Sequence, residues 1–208
     1  MGSRVAVIGV IASLAFLAGC ASAPVDPLGD QLRAAVRQDR VDRAWAEVAL
    51  EYPEAIRPTI AVGPVLDDAA WATATTKCFA DEGFVVVRQA AGFQYSSSQG
   101  QSPLQFAVAR FHCAIAVPSL DEVAGYLDTH QLGALYDHFI SRVQPCLALS
   151  GVATAKPPLR SRFTAGAGTA LWTPFIVQNS AVAAGKTDGR RLAELEKLCP
   201  PIPAWLHL

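Results

Sequence analysis

Hydrophobic side chains recur every three or four residues along much of the chain, which is the period of an amphipathic helix. The helical stretches predicted from this pattern are 27–52, 69–82, 103 to about 113–116, a long helix that starts at 128 or 129 and is ended by Gly151, and a last helix capped by Asp188 that reaches Leu198. β-Branched and aromatic residues predict short strands at 84–87 and 152–155, with a return strand at 93–95. The pattern therefore predicts a helix-rich α+β fold.

Local signals mark where several of these helices begin. Asp67 or Asp68 can cap the second helix, and the Ser102-Pro103 pair combines a capping side chain with a proline at the first helical position. Ser119, followed three residues later by a glutamate, has the spacing of a capping box. Pro145 lies inside the strongest apolar stripe and lacks a backbone N–H, so we expect it to kink that helix.

Two segments of the chain share one order of features. A helix carries a cysteine, four residues follow, a glycine ends the helix, and a strand comes next. Cys78 with Gly83 forms the first instance and Cys146 with Gly151 the second. This order predicts two pseudo-repeated α-β-α halves with short strands. The halves are about 65–118 and 129–205, within a single globular ectodomain of residues 28–208.

The N-terminus carries an apolar run over residues 5–16, preceded by Arg4. A membrane-spanning helix needs about 20 apolar residues, so this run is typical of a signal peptide instead. It ends in Leu-Ala-Gly-Cys at residues 17–20, which resembles the lipobox of bacterial lipoproteins. The resemblance implies a signal peptide of residues 1–19, a diacylglyceryl group on Cys20 and a lipidated tether of residues 20–27. The alternative is an ordinary secretory peptide cut near residues 21–23.

Four cysteines remain after Cys20. Outside the cytoplasm an even number favours disulfides, and no two of these cysteines have the C-x-x-C spacing of a zinc site or redox motif. We therefore expect two structural bridges, no metal and no cofactor. Three pairings are formally open, and the repeat favours one bridge within each half, namely Cys78–Cys113 and Cys146–Cys199.

Charge excludes one class of function. Without residues 1–19, which carry Arg4 and no acidic residue, the chain has 16 basic and 18 acidic side chains and a net charge of −2. There is no electrostatic reason to expect nucleic-acid binding. Four arginines do fall near one face of the first helix, either as a basic stripe for anionic headgroups or as a solvated face paired with nearby acids; we favour the solvated face. The arginines are Arg33, Arg37, Arg40 and Arg43, and the acids are Asp39, Asp42 and Glu47.

Residues from about 52 to 205 resemble a group of uncharacterised actinobacterial lipoproteins. The landmarks are Cys78 with Gly83-Phe84, Cys113 with Pro118, Gln131-Leu132 with Leu135-Tyr136, Pro145-Cys146 with Gly151, Trp172-x-Pro174, and Cys199-Pro200-Pro201. Val152 stands where the pattern has an aromatic residue, which is a departure. The resemblance implies a lipid anchor and two disulfide-stapled halves, and it carries no activity that can be transferred.

Residues capable of catalysis are present but do not form a recognised motif. His130 and His138 lie two turns apart on one predicted helix, and the serines at 96–98 lack the G-x-S-x-G nucleophile elbow. The adjacent acids at 67–68 and 81–82 are typical of solvated helix ends. Clustering of His112 and His138 with an acid would revive a hydrolase hypothesis.

Three functions remain as hypotheses. The first is a non-catalytic accessory or interaction module of the cell envelope, held on the extracytoplasmic face of the membrane by Cys20, with a membrane or cell-wall protein as partner. The second is a small-ligand-binding lipoprotein with a cleft between the halves. Its cleft would be lined by aromatic residues that we otherwise expect in the core, namely Trp71, Phe79, Phe84, Phe93, Tyr95, Tyr136, Phe139 and Trp172. The third is a cell-wall hydrolase.

Overall fold

The computed structural model describes residues 29–89, 92–97, 100–165 and 171–206. The signal peptide, Cys20 and the tether predicted from the sequence lie outside the described residues. Helices dominate the described part of the chain, and the α+β class is confirmed. The helices are α1 (Asp30–Glu51), α2 (Asp68–Asp81), α3 (Pro103–Ala116), α4 (Leu120–Ala124), α5 (Thr129–His138), α6 (Gln144–Leu149), α7 (Arg160–Thr164), α8 (Ile176–Ala183) and α9 (Gly189–Leu198).

Side-chain caps set the start of several helices where the sequence predicts them. Asp67, rather than Asp68, caps α2 by accepting the Ala70 N–H at 2.8 Å. Ser102 and Ser119 each form a complete capping box, at α3 and α4 respectively. A cap satisfies amide groups that the first helical turn cannot pair internally.

A single π turn, Phe139–Val143, joins α5 to α6. Because Pro145 has no N–H, it cannot donate to the carbonyl four residues earlier, and a widened turn just before it is a known accommodation. The Gln144 N–H donates to the Phe139 carbonyl, five residues back. The predicted disturbance at Pro145 therefore takes the form of a π turn.

Two antiparallel strands, β1 (Phe84–Gln89) and β2 (Gly92–Ser97), form a hairpin in the first half. Their register runs from Phe84 opposite Ser97 to Gln89 opposite Gly92. Phe84 and Val86 are buried on one face, whereas Val85 and Val87 are exposed on the other. Strand β2 therefore includes the predicted return strand at 93–95 and continues two residues beyond it, to Ser97.

The strand predicted at residues 152–155 is wrong, because this segment is neither helix nor strand. Side chains of other segments, and not a neighbouring strand, form hydrogen bonds with part of the backbone and with a side chain of residues 152–155. The Gln178 amide donates to the Ala153 carbonyl at 2.7 Å, and the Gln144 amide donates to the Thr154 hydroxyl at 3.2 Å. Pro157 and Pro158 follow and cannot donate to a strand partner. The described second half thus lacks the strand of an α-β-α unit.

Both predicted disulfides are present. Cys78 of α2 joins Cys113 of α3, and Cys146 of α6 joins Cys199, the residue directly after α9. The Cα atoms are 5.7 Å apart in each bridge. Each bridge therefore closes a loop within one predicted half.

The buried side chains form three clusters. The largest lies in the C-terminal part of the chain and includes Leu135, Phe139, Leu147 and Leu192. A second surrounds the first disulfide between α2, the hairpin and α3. The third packs α1 against α3 through Val48 and its neighbours. Helix α1 therefore lies across the body of the protein and is not an extended arm.

Candidate functional site

Three of the four arginines of α1 have clearly different environments. Arg43 pairs with Asp39 at 2.7 Å, and its guanidinium lies 5.6 Å from the Tyr126 ring centroid. Arg33 pairs with Asp30 at the start of the helix. Arg40 is 3% exposed, so the expectation of a fully solvated face is wrong at this position.

The buried Arg40 side chain binds the C-terminal end of α3. Its guanidinium donates to the Ala114 carbonyl at 3.5 Å and the Ile115 carbonyl at 3.4 Å. The last carbonyls of a helix lack internal partners and carry partial negative charge, which favours a cation there. Burial lowers the pKa of Arg40, and the nearby Glu122 carboxylate opposes that shift. Its position four residues after the buried Val36 is the signal that places Arg40 on the inward face.

The two histidines singled out by the sequence have separate partners. His112 Nδ1 contacts the Glu82 carboxylate beside the first disulfide. His138 Nε2 lies 3.1 Å from the Pro200 carbonyl, to which the ring N–H donates. Burial, and the positive charge of Arg142, lower the pKa of His138 although the Pro200 carbonyl opposes the shift. The described residues therefore do not unite His112, His138 and an acid.

An acidic cluster does form at the start of α2. The Glu196 carboxylate, 2% exposed, accepts the Asp68 and Ala69 N–H groups at 3.2 Å each. Burial, followed by the negative charges of Asp67 and Asp68, raises the pKa of Glu196 to about 8. The Asn179 amide donates to the Asp68 carboxylate. Among the residues that the structure describes, no group of three or more His, Cys, Asp or Glu side chains can hold a metal ion.

Sequence reasoning missed Glu196. The residue lies four positions after Leu192, which is fully buried, and next to Leu195. A carboxylate at that helical spacing falls on the apolar face of α9, so this spacing could have predicted that Glu196 is buried.

The aromatic residues do not line one cleft between the halves. Phe79 and Phe84 belong to the cluster around the first disulfide, while Phe139 belongs to the large C-terminal core. Trp172 borders a cavity of about 290 Å³ together with Phe163. That volume is at the lower limit of ordinary ligand pockets.

A larger depression, here called the C-terminal groove, has a volume of about 1230 Å³. The end of α5, the π turn and α6 form one wall, the end of α9 and the following tail form another, and the start of α1 reaches its edge. Its apolar lining includes Ala134, Val143, Ile202, Pro203 and Trp205 together with the Cys146–Cys199 bridge. This volume exceeds the usual 300–1,000 Å³ of small-molecule sites.

Two features shape the walls of the groove, namely the π turn before Pro145 and the second disulfide. Pro145 accounts for the π turn, and such turns occur frequently at functional sites. The Cys146–Cys199 bridge ties α6 to the start of the C-terminal tail, so both walls are held by a covalent link. The tail itself is ordered by Trp205 and Leu206, which are buried in the large core.

No known protein family, curated protein or solved structure matches the chain. Within the described residues, no helix has the length and hydrophobicity required to cross a membrane.

Proposed function

We propose that the protein is an extracytoplasmic lipoprotein of the bacterial cell envelope, anchored through Cys20 and acting as a non-catalytic accessory or interaction module. The cysteine inventory carries the proposal. The chain has five cysteines, and four of them are joined in two disulfides. Cys20 is left with no cysteine to pair with, directly after the lipobox-like residues, which suits a thiol reserved for acylation.

The compartment follows from the same bridges. Disulfides persist in oxidising environments and are rare in the cytosol of mesophiles. A signal segment of residues 1–19 would deliver the chain to such an environment. Diacylation then supports stable membrane attachment, because two acyl chains are needed where one is marginal.

The accessory role is supported by the structural contacts that the candidate catalytic groups make. Asp67 caps α2, Glu82 pairs with His112, and His138 donates to the backbone carbonyl of Pro200. Each of these groups has a structural partner. A binding role is therefore the simpler assignment.

Lipidation is tested by Cys20→Ala in the native host. We expect the wild-type protein to incorporate an alkyne-labelled fatty acid and to sediment with membranes, and the variant to lose the label and enter the soluble extracytoplasmic fraction. The double variant Cys78→Ser/Cys113→Ser is the matched control, because it also removes cysteines and must still incorporate the label. Retention of the label or of membrane attachment by Cys20→Ala would disprove the anchor.

The interaction role is tested by cross-linking the lipidated protein in intact cells, followed by mass spectrometry. We expect one dominant membrane or cell-wall protein, at the same stoichiometry in repeated preparations and lost when Cys20→Ala is expressed. A set of cross-links no different from that of an unrelated lipoprotein of equal abundance would count against an accessory subunit.

Ligand binding is the second candidate, and the C-terminal groove favours it. The sequence predicted a cleft between the two halves, whereas this groove lies within the C-terminal part of the chain and against the start of α1.

A further inference from the structure

The cavity of about 290 Å³ beside Trp172, here called the α4–α7 cavity, lies where α4, α5 and α7 meet the segments at 156–158 and 171–172. Its apolar lining consists of Ala124, Leu132, Pro158, Phe163, Leu171 and Trp172. At about 30 Å³ for each water molecule of the liquid, the cavity has room for about ten non-hydrogen atoms. One aromatic ring with a short substituent has that size.

Hydrogen bonds and ring contacts hold the walls of the α4–α7 cavity in place. The Asp121 carboxylate accepts the Leu171 N–H at 2.7 Å, which joins α4 to the segment at 171–172. The Tyr136 hydroxyl donates to the Pro158 carbonyl at 2.8 Å, and the Tyr136 ring centroid lies 5.2 Å from that of Phe163. Because the walls are already ordered, a ligand would bind without the entropic cost of forming the cavity.

Two cations border the cavity without a counter-ion. The Lys156 and Arg162 side chains are exposed, and neither forms an ion pair or a hydrogen bond within the part of the chain that the structure describes. Of the described residues that line the cavity, only Asp121 is acidic, and its Oδ1 atom already accepts the Leu171 N–H. The described lining thus has a net charge of +1 and favours an anion.

We propose that the α4–α7 cavity binds a small carboxylic acid that carries one aromatic ring. The ring packs against Leu132, Phe163 and Trp172, and the carboxylate contacts Lys156 and Arg162. An inorganic anion would use only the two cations, and a neutral aromatic compound only the apolar lining, whereas an aromatic carboxylate uses both. The proposal concerns the folded body of the protein and does not rest on the Cys20 anchor.

The test uses 3-phenylpropionate as the probe, titrated into the full-length protein purified from its host. Binding is followed by calorimetry and by tryptophan emission, because Trp172 lines the cavity. We expect saturable binding of one molecule per chain, with a change in emission. That change should be lost in Trp172→Phe and kept in the matched control Trp205→Phe, whose tryptophan lines the C-terminal groove.

The charge of the probe is tested with 3-phenylpropionamide, which has the same ring and a neutral head group. We expect the amide to bind the wild type at least fourfold more weakly than the acid. Lys156→Gln and Arg162→Gln should each weaken binding of the acid two- to fivefold, as for an exposed charge pair, and should leave binding of the amide unchanged. Lys197→Gln and Arg142→Gln remove exposed cations outside the cavity and are the matched controls.

Several results would overturn the proposal. Absence of saturable binding, or an emission change that survives in Trp172→Phe, would refute the cavity as the site. Equal affinity of the wild type for acid and amide would refute recognition of the carboxylate, and this comparison requires no variant to fold. Tighter binding of phenylalanine than of 3-phenylpropionate would replace the simple acid with a zwitterion whose ammonium group pairs with Asp121. Cys20→Ala should bind the probe as the wild type does, so failure of the anchor and failure of the site are distinguishable.

Discussion

Replacing Glu196 with glutamine should make the protein more stable at neutral and alkaline pH. The carboxyl group is buried, and its pKa is raised to about 8 from an ordinary 4.5. The folded protein therefore retains a proton on Glu196 at pH values where the unfolded chain has lost it. By linkage, stability falls as pH rises whenever the folded state binds more protons.

The magnitude follows from the two pKa values. One pKa unit corresponds to about 1.36 kcal/mol. The contribution of Glu196 is fully favourable below about pH 4.5 and is lost progressively up to about pH 8. The loss amounts to about 3 kcal/mol at pH 7 and between 4 and 5 kcal/mol, as a rough upper bound, above pH 8. Glutamine stays neutral, as the protonated acid does, and its amide can donate to a neighbouring carboxylate. It offers one acceptor oxygen, however, where Glu196 offers two to the Asp68 and Ala69 N–H groups.

The assay is urea unfolding of the oxidised protein at intervals from pH 5 to pH 9, for the wild type and Glu196→Gln. We expect the variant to be slightly less stable than the wild type near pH 5, because it lacks one of the two acceptor oxygens, and to gain on the wild type by roughly 1 kcal/mol per pH unit from there to about pH 8. Glu194→Gln is the matched control, since Glu194 lies on the same helix with its side chain 68% exposed. Parallel pH profiles for the wild type and Glu196→Gln would refute the raised pKa.

Three further changes test the fold. Arg40→Met should lower the free energy of unfolding by about 2 kcal/mol, because two carbonyls at the end of α3 lose a charged donor, while Arg43→Met on the exposed side should cost less than about 1 kcal/mol. Cys146→Ser with Cys199→Ser opens a loop with a sequence separation of 53 and should cost about 4 kcal/mol in the chain-entropy account. Gly63→Ala should lower the melting temperature, because an added Cβ would lie 1.8 Å from the carbonyl oxygen of the last residue of α3.

Each of these changes has a result that would contradict it. Equal destabilisation by the two arginine variants would mean that the buried contacts at α3 contribute nothing specific. If the double serine variant is as stable as the oxidised wild type, the Cys146–Cys199 bridge does not stabilise the folded protein. A melting temperature unchanged in Gly63→Ala would mean that the chain can move away from α3 without cost.

Helix starts and disulfides were predictable because they depend on short-range chemistry or on repeated order. The caps at Ser102 and Ser119 bond to residues only three positions away, so the local sequence suffices. The bridge partners followed from the repeated order of helix, glycine and second cysteine, and the structure confirms both pairs. The lipid anchor at Cys20 stays a prediction.

The predicted strand at residues 152–155 shows where local pattern becomes insufficient. A strand requires a partner that supplies backbone hydrogen bonds, and the pattern of one segment does not say whether a partner is adjacent. Here the Gln144 and Gln178 side chains contact that segment instead. The first half consequently contains a two-stranded hairpin, whereas the segment at residues 152–155 of the second half does not form a strand.

The sequence by itself determined the helix-rich class, the caps and the disturbance at Pro145, because each depends on neighbours in the chain, and its repeated spacing favoured the cysteine pairing that the structure shows. Only the tertiary structure decided that Arg40 and Glu196 are buried and that the C-terminal tail completes a groove beside the second disulfide. Burial and cavity shape depend on which distant elements meet, and the free energy of a charged or apolar group changes with that environment far more than with its neighbours in sequence.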